Sequence, residues 1–144
     1  MEVGVPLLSP ACAHPDREWM KQFMDEIDKR GYRVDFVGVH SYGGPSAEGL
    51  MTRLEKVYQM FGRPVWITEF AVGDWNAKSA SENKHRPEKV AKFMREVLPA
   101  LESAAFVDRY SWFSASQDSK PLGTSALFDD QGELTPLGEL YRSA

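Results

Sequence analysis

Arg63-Pro64-Val65-Trp66-Ile67-Thr68-Glu69-Phe70 is the stretch on which the reading of this chain turns. Val65, Trp66 and Ile67 are β-branched or aromatic, the residue types that suit a pleated, half-buried strand. Pro64 fits at the strand's first position, where no ladder donor is needed. Glu69 then stands where the strand is expected to end, an acid between Thr68 and Phe70. A carboxylate held among apolar residues loses hydration, and the loss has to be offset by partners or by a chemical task. On these residues alone, Glu69 is equally well a catalytic nucleophile or base and the buried partner of an arginine or a helix N-terminus.

Working outward, Val34 to His40 is a second near-continuous apolar run, closed by the loop signal Ser41-Tyr42-Gly43-Gly44-Pro45. Val3 to Leu8 reads as a short buried strand broken at Ser9-Pro10. Val107 to Phe113 reads as a fourth strand. Helical spacing fills the intervals. Trp19, Met20, Phe23, Met24 and Ile27 follow a candidate cap at Asp16 and stop at Gly31. Leu50, Leu54, Val57, Tyr58 and Phe61 follow Ser46 and stop at Gly62. Val90, Phe93, Met94, Val97 and Leu98 follow Pro87, which suits a first helical turn, and Pro99 makes the end of that helix hard to place. Thr135-Pro136 opens a short last helix. Residues 72–85, rich in Ser, Asn and Lys, read as a long loop.

Strand and helix thus alternate four times within one domain, residues 1–144, which argues for a parallel α/β sheet. Alternation alone does not separate an open doubly wound sheet from part of a (β/α)8 TIM barrel. A whole barrel takes about 250 residues, so four units amount to half of one.

The 144 residues are 42% hydrophobic and 26% charged, an ordinary globular balance. A net charge of −4 argues against nucleic acid, whose recognition needs clustered Lys and Arg. No run approaches the ~18 apolar residues of a membrane span, so no membrane partner is expected. Met1-Glu2-Val3 does not open a signal peptide. Cys12 stands alone, so neither an intrachain disulfide nor a cysteine zinc site can form. Neither G-x-G-x-x-G nor a Walker A pattern occurs, and no His/Asp/Glu group has ligand spacing; no cofactor and no metal are expected.

The strand ends carry His40 with Tyr42, Glu69, and Trp112. Polar and aromatic groups at the C-terminal ends of parallel strands are where barrel enzymes place their chemistry. Each has a plainer reading: His40 as a loop hydrogen-bonder, Trp112 as core. Alternation sends Tyr110 and Trp112 to one face of their strand. Trp75 sits in a loop with little core to fill, which favours binding, whereas neighbouring Asp74 reads as a loop cap.

Taken together, Val34-Asp-Phe-Val-Gly-Val-His-Ser-Tyr-Gly43, Arg63 to Ala71, Val107-Asp-Arg-Tyr-Ser-Trp-Phe113 and the ending Leu127 to Tyr141 resemble the C-terminal half of glycoside hydrolase family 128, a glycosyl hydrolase catalytic core. The resemblance implies a (β/α)8 barrel cleaving β-1,3-glucan with retention, endo-acting, of which this chain holds strands five to eight. It implies Glu69 as nucleophile, His40 and Tyr42 beside the scissile sugar, Trp112 as an aromatic floor, Trp75 as a further glucan contact, and an extracellular location.

One departure is large. The family's acid/base glutamate, in an Asn-Glu-Pro motif at the fourth strand, has no counterpart here, so the chain alone is expected to be inactive. Half a barrel would leave Val5, Phe36, Trp66 and Tyr110 uncovered, calling for an N-terminal half-barrel or a second copy. The rival expectation is a non-catalytic carbohydrate-binding module.

Overall fold

The computed structural model describes residues 4–144. Three parallel strands form one open sheet in the order β1-β2-β3: Val37–Gly43, Val65–Val72 and Val107–Trp112. The helices are α1 (Glu18–Arg30), α2 (Ala47–Phe61), α3 (Pro87–Ser103) and α4 (Pro136–Arg142). α2 returns the chain from β1 to β2 and α3 from β2 to β3, the crossover that parallel neighbours require.

Local chemistry sets most helix ends. The Ser46 hydroxyl accepts the Gly49 N–H at the start of α2, and the Thr135 hydroxyl accepts that of Gly138 at the start of α4. Gly31 and Gly62 close α1 and α2 at φ of 64° and 62°, a backbone conformation that costs a residue with a Cβ. Pro87 occupies the first turn of α3, where its missing N–H is no loss. Pro99 lies inside α3 without ending it, and the Pro99 carbonyl accepts the Ser103 hydroxyl at 2.8 Å. α1 begins at Glu18, and its cap position is Arg17, which makes no side-chain cap and lies one residue beyond the expected Asp16.

The expected first strand is not one. Val3 lies outside the described residues. From Leu7 to Cys12 the chain runs parallel to β1, but its ladder is reduced to isolated bridges, Leu8 to Phe36 just before β1 and Cys12 to Val39. Pro10 has no N–H to give, and the Ser9 hydroxyl replaces a rung by accepting the Gly38 N–H at 2.9 Å. Two strand ends also differ. β1 runs on through Ser41 and Tyr42 to Gly43, and β2 runs past Glu69 to Val72, because each pairs with the other over that length.

The core lies on the helix side of the sheet. Val37, Val39, Val65, Ile67, Phe70 and Val72 meet Leu54 and Val57 of α2 and Val90, Met94, Val97 and Leu101 of α3, all buried. The opposite face carries Phe36 against Trp66 at 4.8 Å, with the Arg109 guanidinium 5.0 Å over the Trp66 ring and the Trp66 N–H donating to Asp108 at 2.6 Å. Tyr110 does not join this layer: it packs on Phe70 and donates to Glu102 of α3. Val5, as expected, is exposed.

Candidate active site

The position of Glu69 depends on an irregularity in β2. Side chains of a regular strand alternate, so Val65, Ile67 and Glu69 would share the buried, helix-facing side. The pairing of β2 with β1 slips between Val39 and His40: Val39 faces Ile67, but His40 faces Glu69, leaving Thr68 as an extra residue. An extra residue in one strand inverts the alternation beyond it. Phe70 therefore takes the helix side, 1% exposed, and Glu69 turns to the face that carries His40 and Tyr42.

There the Tyr42 hydroxyl donates to Glu69 Oε2. His40 Nδ1 lies 3.5 Å from the same oxygen, an ion-pair distance when the ring is protonated and long for a hydrogen bond. Among the described residues nothing hydrogen-bonds Oε1, so one carboxylate oxygen is held and the other is free. Burial, and then the hydrogen bond and charge of Glu69, raise the Tyr42 phenol well above its usual range. Tyr42 is thus a neutral donor at any physiological pH.

Three rings stand edge-on to Tyr42: His40 at 6.4 Å, Trp75 at 6.0 Å and Phe113 at 5.6 Å. Trp75 is 62% exposed, yet its indole N–H donates to the Tyr42 carbonyl at 3.2 Å, which pins the ring to the end of β1. Its loop is wired from beneath. Asp74 is 4% exposed and accepts the N–H groups of Lys84 at 3.0 Å and Asn76 at 3.2 Å, with the Lys84 ammonium 3.3 Å away. The Lys84 N–H first, then that of Asn76 and the ammonium, hold the Asp74 carboxyl below its usual range against the opposing effect of burial. Asn83, 1% exposed, ties the loop to the carbonyl of Pro121 at 3.0 Å. Asp74 is a loop cap, as its setting suggested.

Trp112 is not part of this group. It is 6% exposed, packs on Phe70 at 5.0 Å and Phe93 of α3 at 6.3 Å, and donates its N–H to the Ser125 carbonyl at 2.9 Å. Tyr110 and Trp112 do share a face, but it is the helix-facing one, so Trp112 cannot serve as an open floor. The ring that β3 sends to the Glu69 side is the next residue, Phe113, which the sequence reading passed over. The same alternation that buries Trp112 signals it. No group of three or more His, Cys, Asp or Glu among the described residues is placed to hold a metal ion.

A strand-borne carboxylate with a tyrosine donor, a histidine neighbour and exposed rings is the equipment of sugar chemistry, and comparison with known proteins bears on it directly. Residues 1–141 match the family model described as glycosyl hydrolase catalytic core. The chain belongs to the glycosyl hydrolase catalytic core family. It is 30% identical over 137 residues to alkali-sensitive linkage protein 1 of Schizosaccharomyces pombe, covering 94% of this chain and 24% of that protein. Among solved structures it resembles a glycoside hydrolase family 128 subgroup I endo-β-1,3-glucanase from Amycolatopsis mediterranei in complex with laminarihexaose. That likeness has a TM-score of 0.82 and 32% identity, over 98% of this chain and 59% of the other. A subgroup V exo-β-1,3-glucanase from Cryptococcus neoformans gives 0.78 and 27%, over 94% and 53%. The chain thus spans about a quarter of the curated relative it matches and just over half of the two solved structures.

Proposed function

We propose that this chain is the nucleophile-bearing portion of a retaining, endo-acting β-1,3-glucan hydrolase, the C-terminal half of a (β/α)8 barrel in which β1 to β3 are the sixth to eighth strands and the bridged segment Leu7 to Cys12 stands at the fifth, with Glu69 as nucleophile. The observation that carries the reading is the Glu69 carboxylate itself, turned off the core by the irregularity in β2, with one oxygen held by Tyr42 and the other free.

In this reading the free oxygen attacks the anomeric carbon as the bond to the leaving oxygen breaks, giving a covalent glycosyl-enzyme that water then hydrolyses. Tyr42 keeps the carboxylate oriented, and His40 lies beside it toward the reacting sugar. Trp75 offers an apolar surface to a neighbouring glucosyl ring. Retention needs a second carboxyl about 5–5.5 Å away to protonate the leaving oxygen. Asp74 is occupied by Lys84 and Asn76, so the proton donor is assigned to protein outside these residues, an N-terminal half-barrel or a second copy. The relatives' greater length supports that assignment. The location of the whole enzyme is proposed as extracellular.

The test is Glu69→Gln in the assembled, glucan-cleaving enzyme. Turnover of laminarin is expected to vanish while laminarihexaose binding persists; near-normal hydrolysis would refute the role. The 144-residue chain by itself is expected to release no reducing sugar. A second reading, a module that grips glucan without cutting it, is favoured by the presence of one carboxylate, among the described residues, in the Tyr42 group. Finding an assembled form that hydrolyses laminarin would decide against it.

A further inference from the structure

We propose that Phe113 is the sugar-stacking ring that β3 contributes to this cleft; the proposal rests on the glucan-binding reading above and adds to it a contact residue that the reading does not contain. The argument begins with the backbone. The Phe113 N–H donates to the Phe70 carbonyl at 2.9 Å, one rung beyond the end of β3, so the residue is held as firmly as the strand itself. Its neighbour Trp112 points into the helix-side core, and alternation therefore throws Phe113 to the opposite face. The ring meets Tyr42 edge-on, at 81° between planes, while remaining 37% exposed.

Such exposure is a cost for a phenyl ring that has no polar atom of its own. A β-linked glucosyl ring carries its hydroxyls equatorially and presents axial C–H groups on its faces, the complement of an uncovered aromatic face. Trp75 flanks Tyr42 as well, so the hydroxyl that holds Glu69 belongs to a ring bordered by two open aromatic surfaces from different parts of the chain.

The experiment titrates the 144-residue chain with laminarihexaose by calorimetry, in the wild type and in Phe113→Ala, Phe113→Tyr and Tyr32→Ala. Tyr32 is an exposed ring just after α1 and serves as the control. Phe113→Ala is expected to weaken binding by about tenfold or more, Phe113→Tyr to stay within about threefold of wild type, and Tyr32→Ala to leave it unchanged. Circular dichroism melts confirm that each variant is folded; should Phe113→Ala fail to fold, Phe113→Leu replaces it with the same expectation. Wild-type binding with an unaffected Phe113→Ala overturns the Phe113 assignment alone. No wild-type binding overturns the glucan-binding reading of this chain and the assignment with it.

Discussion

Ile67 and Phe70 lie three positions apart in β2, yet both are 1% exposed and both face the helices. In a regular strand they would point to opposite sides. The extra residue between them, Thr68, reconciles the two, and the same displacement frees Glu69 from the core. The Thr68 hydroxyl is buried and makes no hydrogen bond. An unsatisfied buried hydroxyl costs about 1–3 kcal/mol, whereas an apolar group of the same shape does not. Thr68→Val should therefore be neutral or stabilising by up to about 1 kcal/mol in thermal or urea unfolding. A clear loss of stability would mean that the hydroxyl supports the irregularity.

Tyr42→Phe isolates what the phenol does for Glu69. The ring and its edge contacts with Trp75 and Phe113 are kept; only the donor to Oε2 is lost. A hydrogen bond to a charged group is worth about 1.5–3 kcal/mol, so kcat of the assembled enzyme should fall about 10- to 100-fold. Because sugar-facing surface is retained, KM should change little. A variant with unchanged kcat would show that Glu69 needs no orienting partner.

Much of the scaffold was legible because its signals are local. Gly31, Gly62, Ser46 and Pro87 mark helix ends by their own backbone or side-chain chemistry; the apolar periodicity of α3 matched its buried stripe, and that of α2 did so at Leu50, Leu54 and Val57 but not at the exposed Tyr58. What depends on a distant partner was not legible. The lengths of β1 and β2 are set by their mutual pairing, and no feature of Thr68 announces an extra residue. Val3 to Leu8 looks like a strand by composition, yet among the described residues its only bridge is Leu8 to Phe36, and the contact with β1 is scattered instead over Leu7 to Cys12, past the break at Ser9-Pro10. Trp112 was misread because alternation says which residues share a face without saying which face is open. Glu69, His40, Tyr42 and Trp75 were named from the sequence, and the fold brings these four together.

Asp74 should govern the order of the loop that presents Trp75. Asp74→Asn leaves the size of the side chain but removes the charge facing Lys84. Hydrogen exchange at the Asn76 and Lys84 amides, both bonded to that carboxylate, should accelerate, and iodide should quench Trp75 more readily. Because the folded state depresses the Asp74 pKa, the stability it contributes is present above the ordinary aspartate value near pH 4. That contribution is lost as pH falls further through the depressed value. Unchanged exchange at both amides would assign the loop's order to Asn83 instead.

Tyr110 gives the opposite sign. Burial first, then the hydrogen bond and charge of Glu102, push its phenol up to about 12. A raised folded-state pKa contributes stability that is complete below the unfolded value near 10 and disappears as pH rises toward 12. Stability should hence decline with a distinct alkaline limb between about pH 10 and 12, and Tyr110→Phe should flatten it. Tyr42, also raised, keeps part of the slope in that variant. A limb of undiminished steepness in Tyr110→Phe would place the titration elsewhere.

Gly38 tests whether the segment from Leu7 to Cys12 is truly seated on the edge of β1. A Cβ at this position would lie 2.9 Å from both the Cα and the Cβ of Ala11, and 3.1 Å from the Ser9 carbonyl oxygen. Real Cβ atoms do not come so close to backbone, so Gly38→Ala must push the segment outward. Overpacking of this kind costs about 1–3 kcal/mol. The displacement should also break the bond from the Gly38 N–H to the Ser9 hydroxyl and weaken that from His40 N–H to the Cys12 carbonyl at 3.0 Å. Since His40 and Tyr42 share that strand with Gly38, laminarihexaose binding should weaken along with stability. A Gly38→Ala variant as stable as the wild type, with the amide of residue 38 exchanging freely in both proteins, would show that the segment does not rest against β1 at all.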